Sequence, residues 1–180
     1  ACLERARTAS QTASEIVDGL LTFTQKREMV KQTVEAWTLV REVAEMCRQS
    51  FDREIEILLD GSDEEHWVSG DTSQLEQAVL NLCINARDAL AALEPESRRP
   101  RLSLAVDAVV VKSPHVQDAD GLPHVKITVS DNGIGMDEDL QGRLFEPFFT
   151  TKAPDEHAGM GLATAFAIVQ EHAGWIEGKS

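Results

Sequence analysis

Apolar residues recur at Ala9, Ala13, Ile16, Leu20 and Phe23, with Val17 and Leu21 widening the stripe, along a proline-free stretch from Ala6 to about Lys31. This alternation of four and three predicts one long helix with a broad apolar face. Such a face is not stable alone in water, so it packs either on the following domain or on another helix outside the chain; its full-length extent favours the second. After Gln32 the pattern becomes mixed. Val34 to Trp37 reads as a short strand, Val40 to Gln49 as a helix, and Glu54 to Asp60 alternates as a strand. The segment GSDEEHWVSGD reads as a turn-rich connection.

From Asp71 to about Leu93 a long helix is predicted, with Asp71 as N-cap and Leu75, Val79, Leu82, Ala86, Leu90 and Leu93 as its buried stripe. Arg101 to Val111 and His124 to Ser130 are β-rich and form a hairpin-like pair around the polar KSPHVQDADGLP. Asp118 and Asp120 precede Gly121 without the other ligands of a calcium loop, which makes this a solvated turn. Met136 to His157, interrupted by Pro147 and Pro154, reads as a partly mobile loop. Leu162 to His172 reads as the last helix, and Trp175 and Ile176 as the start of a strand. The alternation predicts an α/β (α+β) sandwich with a mixed or antiparallel sheet.

Composition narrows the function. The 180 residues are 42% hydrophobic and 27% charged, which fits one compact domain plus an appendage and excludes a disordered chain. A net charge of −14 repels phosphate backbones and anionic lipid, so nucleic-acid binding and membrane contact are not expected. Cys2, Cys47 and Cys83 have no CxxC or Cys/His spacing and read as reduced thiols of a cytoplasmic setting. No window approaches the roughly 18 apolar residues of a spanning helix.

Three segments carry candidate chemistry. On the long helix, Gln77, Asn81, Asn85 and Asp88 stand at i, i+4, i+8 and i+11, a polar stripe beside the apolar one. Asparagine is a poor mid-helix residue. A carboxamide oxygen suits Mg²⁺, whose other positions go to water and substrate phosphates; two solvent-facing asparagines are the equally weighted alternative. The segment Asp131-Asn132-Gly133-Ile134-Gly135-Met136 leaves a strand and turns. Gly133 and Gly135 permit close backbone approach, and the Asp131 carboxylate, which only accepts hydrogen bonds, suits the exocyclic amine of adenine and repels the guanine carbonyl. Gly159-Met160-Gly161 opens the last helix, where free amides can cradle phosphate. Neither a Walker loop nor a Rossmann fingerprint occurs.

In this order the segments resemble the sequence boxes of sensor histidine kinases: QLEQAVLNLCINARDAL the N box, SDNGIGM the G1 box, FEPFFTTK the F box and AGMGLATAFAIV the G2 box. The catalytic domain of that family belongs to the GHKL ATPase superfamily. The resemblance runs from about Val34 to Ser180 and is tightest from Asp71 to Gly174. It implies the Bergerat fold, with helices on one face of a mixed sheet, and the cofactors ATP and Mg²⁺. It makes Asn85 the Mg²⁺ ligand, Asp131 the adenine reader, and Gly133, Gly135 and Met136 the adenine-side turn. Gly159, Met160, Gly161 and Leu162 become the lid end beside the phosphates, Asp88 a further nucleotide-side residue, and Lys152 a catalytic cation. Asp88 within NARDAL matches the PAS-linked and hybrid-kinase subgroup. Residues 1–32 are similar to the second helix of the dimerisation and phosphotransfer hairpin, and residues 33–180 to the ATP-binding domain.

The first histidine is His66, so the acceptor histidine is expected on a segment outside this chain, and the final strands of the domain beyond Ser180. The resemblance also implies a homodimer through the N-terminal helix and a response-regulator receiver domain as partner. Asn81 stands where GHKL ATPases carry a water-activating Glu. An amide does not accept protons near neutral pH, so the γ-phosphoryl is kept for a histidine, which needs no base. An ATPase clamp and a non-catalytic nucleotide-binding module are the rival readings. Cys83 and Ala86 read as helix packing, and Trp37, Trp67 and Trp175 as core or loop covers. His157 reads as an exposed loop residue, and Phe145, Phe148 and Phe149 as either a lid anchor or permanent core.

Overall fold

A computed structural model describes residues 29–61, 64–94, 98–111, 122–150 and 159–180. The expected N-terminal helix, the expected turn at Asp118–Asp120, Lys152 and His157 lie outside them. The described residues divide into two compact units, Val30–Ile134 and Gly135–Ser180 with Met29.

The first unit contains β1 (Gln32–Glu35), α1 (Ala36–Ser50), β2 (Glu56–Gly61), β3 (Trp67–Gly70), α2 (Thr72–Ala91), β4 (Arg101–Val111) and β5 (Leu122–Asp131). β4 is the centre of a mixed sheet, parallel to β2 from Glu56↔Arg101 to Gly61↔Val106 and antiparallel to β5 from Leu102↔Asp131 to Val111↔Leu122. Alternate β4 residues Leu102, Leu104 and Val106 are buried against Leu39, Val40, Val43 and Cys47 of α1 and Val79, Cys83, Ala86 and Leu90 of α2. Both helices thus cover one face of the sheet, while Asp107, Lys126 and Ser130 stay exposed.

The strand expected at Val34–Trp37 ends at Glu35, because the Glu35 carboxylate caps α1 by accepting from the N–H groups of Trp37 (3.1 Å) and Thr38 (2.6 Å). The connection before Asp71 contains a strand that its polar composition conceals, β3, paired antiparallel with β1. On α2 the N-cap is Asp71, accepting from Gln74 N–H at 3.2 Å. Ala78 and Cys83 join the buried stripe, whereas Leu75, Leu82 and Leu93 are only half-buried. Cys47 and Cys83 are free, buried thiols.

The second unit contains α3 (Glu138–Arg143) and α4 (Gly161–Glu171). α3 lies inside the segment expected to be loop. It buries no residue, so no apolar period marks it, and Asp137 starts it by capping Leu140 N–H at 2.8 Å. Trp175 and Ile176, expected to begin a strand, are irregular chain: a strand requires a ladder partner, and residues 174–180 pair with none among the described residues. Instead Gly174 N–H returns to the Val169 carbonyl at 2.9 Å, and Ser180 Oγ accepts from Met136 N–H at 2.8 Å.

Candidate nucleotide site

α2 presents its polar stripe at the rim of the buried arc. Asn81, Asn85 and Asp88 are half-buried, and Gln77 is exposed. The carboxamides of Asn81 and Asn85 make no hydrogen bond among the described residues, so their oxygens stay available for a ligand. Asp88 differs: its Oδ1 accepts from Arg87 Nε at 2.9 Å and Nη2 at 2.7 Å. Arg87 in turn lies over the Phe51 ring, 5.3 Å from its centroid.

Asp131 ends β5 opposite Leu102, and its Oδ1 accepts from the N–H of Gly133 at 2.8 Å. That bond orients the carboxylate and leaves Oδ2 without a hydrogen bond among the described residues. The turn then docks on α2, where the Ile134 N–H donates to the Ala89 carbonyl at 3.3 Å. A Cβ at Gly133 would lie 2.7 Å from the Ala89 carbonyl oxygen and from Asp131 Oδ1. Close approach, rather than a left-handed backbone, demands this glycine.

The segment Arg98–Arg101 leading into β4 holds the same turn, through backbone groups and the Arg98 side chain. Asn132 Oδ1 accepts from Arg101 N–H at 2.8 Å, Asn132 Nδ2 donates to the Arg99 carbonyl at 2.9 Å, and Asn132 N–H donates to the Arg101 carbonyl at 3.2 Å. Arg98 Nη2 donates to the Gly133 carbonyl. Nothing in the sequence pattern marks Arg98, whereas an asparagine before glycine at a strand end is a turn residue that bonds backbone.

In the second unit Gly135 takes the left-handed conformation, with φ of 74°. Gly159 does too, at 65°, and a Cβ there would lie 2.8 Å from the backbone of Phe148 and Phe149. The Phe148 N–H donates to the Gly159 carbonyl at 3.1 Å. Met160 is buried, Leu162 half-buried, and Gly161 exposed as the first residue of α4. Among the described residues no side chain caps that helix, so its first-turn amides are open to an anion. The phenylalanines divide: Phe145 stacks on Phe166 at 5.4 Å, Phe149 lies under Arg143 at 4.1 Å, and Phe148 is exposed with φ of 65°. Trp37 packs against the core of the first unit, and Trp67 is exposed.

Residues 70–180 match the family model of the histidine kinase-, DNA gyrase B- and HSP90-like ATPases. The chain belongs to this family. Sensor kinase CckA of Brucella abortus (strain 2308) is 29% identical over 164 residues, which are 91% of this chain and 17% of that protein. The chain spans from 10% to 32% of the length of such curated relatives, several of them named sensor histidine kinases. Full-length ShkA in complex with AMPPNP has a similar fold, with a TM-score of 0.67 and 24% identity over 89% of this chain and 30% of that one. Histidine kinase ThkA in complex with response regulator TrrA aligns with a TM-score of 0.65 and 21% identity over 93% of this chain and 44% of that one. The fold is therefore that of the family's ATPase domain, with helices on one face of a mixed sheet. No helix among the described residues is long and apolar enough to cross a membrane.

Proposed function

We propose that this chain is the ATP-binding catalytic region of a two-component sensor histidine kinase. It transfers the γ-phosphoryl of Mg-ATP to a histidine on another segment, for onward transfer to a response-regulator aspartate. One observation supports the reading: the carboxamides of Asn81 and Asn85, unpaired among the described residues, lie on the helix whose Ala89 carbonyl accepts from Ile134 at the end of the Asp131–Gly133 turn. Ligand-ready oxygens and an adenine-type acceptor thus belong to one unit of the fold. The sensor kinases among the curated relatives and the response-regulator complex of ThkA support the same assignment.

Asp131 reads adenine through the carboxylate oxygen that its bond to Gly133 leaves open, and rejects guanine by facing a carbonyl with an acceptor. Asn85 holds Mg²⁺ through its carboxamide oxygen, and the metal supplies charge compensation at the phosphates. Gly159, Met160, Gly161 and Leu162 offer the amides and the narrow profile that a phosphate chain needs, with Lys152 as an added cation. Asn81 withholds general-base help from water, so positioning replaces hydrolysis. The apolar stripe in the sequence of residues 1–32 supports a homodimer, and the cytoplasm is the proposed location.

The test supplies the chain with Mg²⁺, γ-labelled ATP and a helical hairpin that carries an acceptor histidine. Label on that histidine, lost with Asn85→Ala, is the expected result. Rapid phosphate release without an acceptor would move the chain to the ATPase clamps, and nucleotide binding with neither transfer nor release would leave the non-catalytic nucleotide-binding module.

A further inference from the structure

The Asp131 carboxylate takes its orientation from one N–H group, that of Gly133. Where this N–H points depends on the peptide units on either side, and both are pinned. The peptide before it carries the N–H of Asn132, which donates to the Arg101 carbonyl at 3.2 Å. The Asn132 side chain adds two further bonds to the same segment, one to Arg101 N–H at 2.8 Å and one to the Arg99 carbonyl at 2.9 Å. The peptide after it is held at both ends: its carbonyl, on Gly133, accepts from Arg98, and its N–H, on Ile134, donates to Ala89.

A carboxylate that discriminates purines must be held close to its productive direction, because an acceptor free to swing can also turn away from a guanine carbonyl. From this we infer that Arg98 and Asn132 are positioning residues for adenine recognition. They touch no nucleotide, but they fix the peptides that aim Asp131. Arg98 is suited to the task because its charged fork binds a carbonyl more strongly than a neutral donor would. Asn132 is suited because its carboxamide donates to one backbone group through the nitrogen and accepts from another through the oxygen. The inference rests on the proposed adenine reading by Asp131.

Its test measures ADP and GDP affinities of the chain by calorimetry in Mg²⁺, beside the thermal midpoint without nucleotide. Arg98→Ala and Asn132→Ala are each expected to weaken ADP about tenfold and to shrink the ADP-to-GDP ratio by a similar factor, the scale of one lost charge-assisted or paired hydrogen bond. Arg98→Lys, which keeps a charged donor, and Asn132→Asp, which keeps the acceptor for Arg101 N–H, should recover part of the ratio. These milder variants decide the matter if an alanine variant does not fold. An unchanged ratio in every variant that folds would overturn the inference, as would ADP and GDP weakening equally in step with the midpoint, which is the signature of a purely structural clip. Asp131→Asn separates the two levels. If the parent protein discriminates and Asp131→Asn abolishes this while the Arg98 and Asn132 variants leave it intact, the inference alone fails. If the parent binds ADP and GDP equally, the adenine reading fails and the inference with it.

Discussion

Gly133 lies so close to the backbone of Ala89 that a Cβ on the glycine would sit 2.7 Å from both the carbonyl carbon and the oxygen. Neither neighbour is a flexible side-chain end, so the turn must lift from α2 if the position is filled. Gly133→Ala is expected to cost about 1–3 kcal/mol of stability, the usual range for overpacking, and to weaken nucleotide binding. Gly142 is the contrast, a helical glycine of α3 whose added Cβ meets nothing within 4 Å. Gly142→Ala should gain up to about 1 kcal/mol through helix propensity. Urea unfolding curves of the two variants check both signs.

Asp131→Asn replaces one acceptor oxygen by a donor. ATP affinity should fall between about tenfold and a hundredfold, the scale of a hydrogen bond to a charged group, while GTP affinity falls much less or rises. Titration calorimetry with both nucleotides reads the ratio directly, and equal parent affinities would remove the basis for the adenine assignment.

The two asparagines should separate by phenotype. Asn85→Ala is expected to abolish the Mg²⁺-dependent part of ATP affinity. Asn81→Glu supplies the missing base and should raise phosphate release by about a hundredfold, the lower end of general-base catalysis. Asn81→Ala should not. A coupled phosphate-release assay distinguishes the three.

Acid should loosen the start of α1. Burial pushes the Glu35 carboxyl up, but hydrogen bonds from Thr38, Trp37 and His66 outweigh it and hold the group below its ordinary 4.5. Its contribution is therefore complete above pH 4.5 and is lost as pH falls through the lowered folded-state value. Glu76 runs the other way: burial, then the facing Glu42 carboxylate, raise it, so its contribution is present at acid pH and lost as pH rises through the raised value. Glu35→Ala should cost about 0.5–2 kcal/mol at pH 7, as loss of a helix cap does, with less effect at acid pH. Glu76→Gln should stabilise at pH 7. Unfolding midpoints at two pH values test the pair.

Legibility followed the source of each stabilisation. α2 could be read from sequence because its N-cap Asp71 and its apolar period are local, and the β4–β5 pair because both strands are long and β-rich. β3 escaped because its four residues alternate weakly and owe their form to β1, more than 30 residues upstream. α3 escaped because it buries no residue fully, so no apolar period marks it. Of the residues proposed for nucleotide binding, Asp131 and Asn85 carry side-chain acceptor oxygens that mark them as candidates. Arg98 and Ala89 are not so marked, since one acts through a charged tip and the other through a carbonyl that every residue possesses.

That carbonyl also decides how α2 stops. The helix has no basic residue in its last turn and an alanine at its C-cap. Its Asp88 and Leu90 carbonyls are satisfied locally by Ala92 and Leu93, but the Ala89 carbonyl waits for Ile134, from a segment synthesised long after the helix. The end of α2 and the Asp131–Ile134 turn therefore form one unit of opening: neither can unravel without stripping the other of a partner. In hydrogen exchange, the amides of Leu93 and Ile134 should report the same event, and a nucleotide that steadies the turn should slow both.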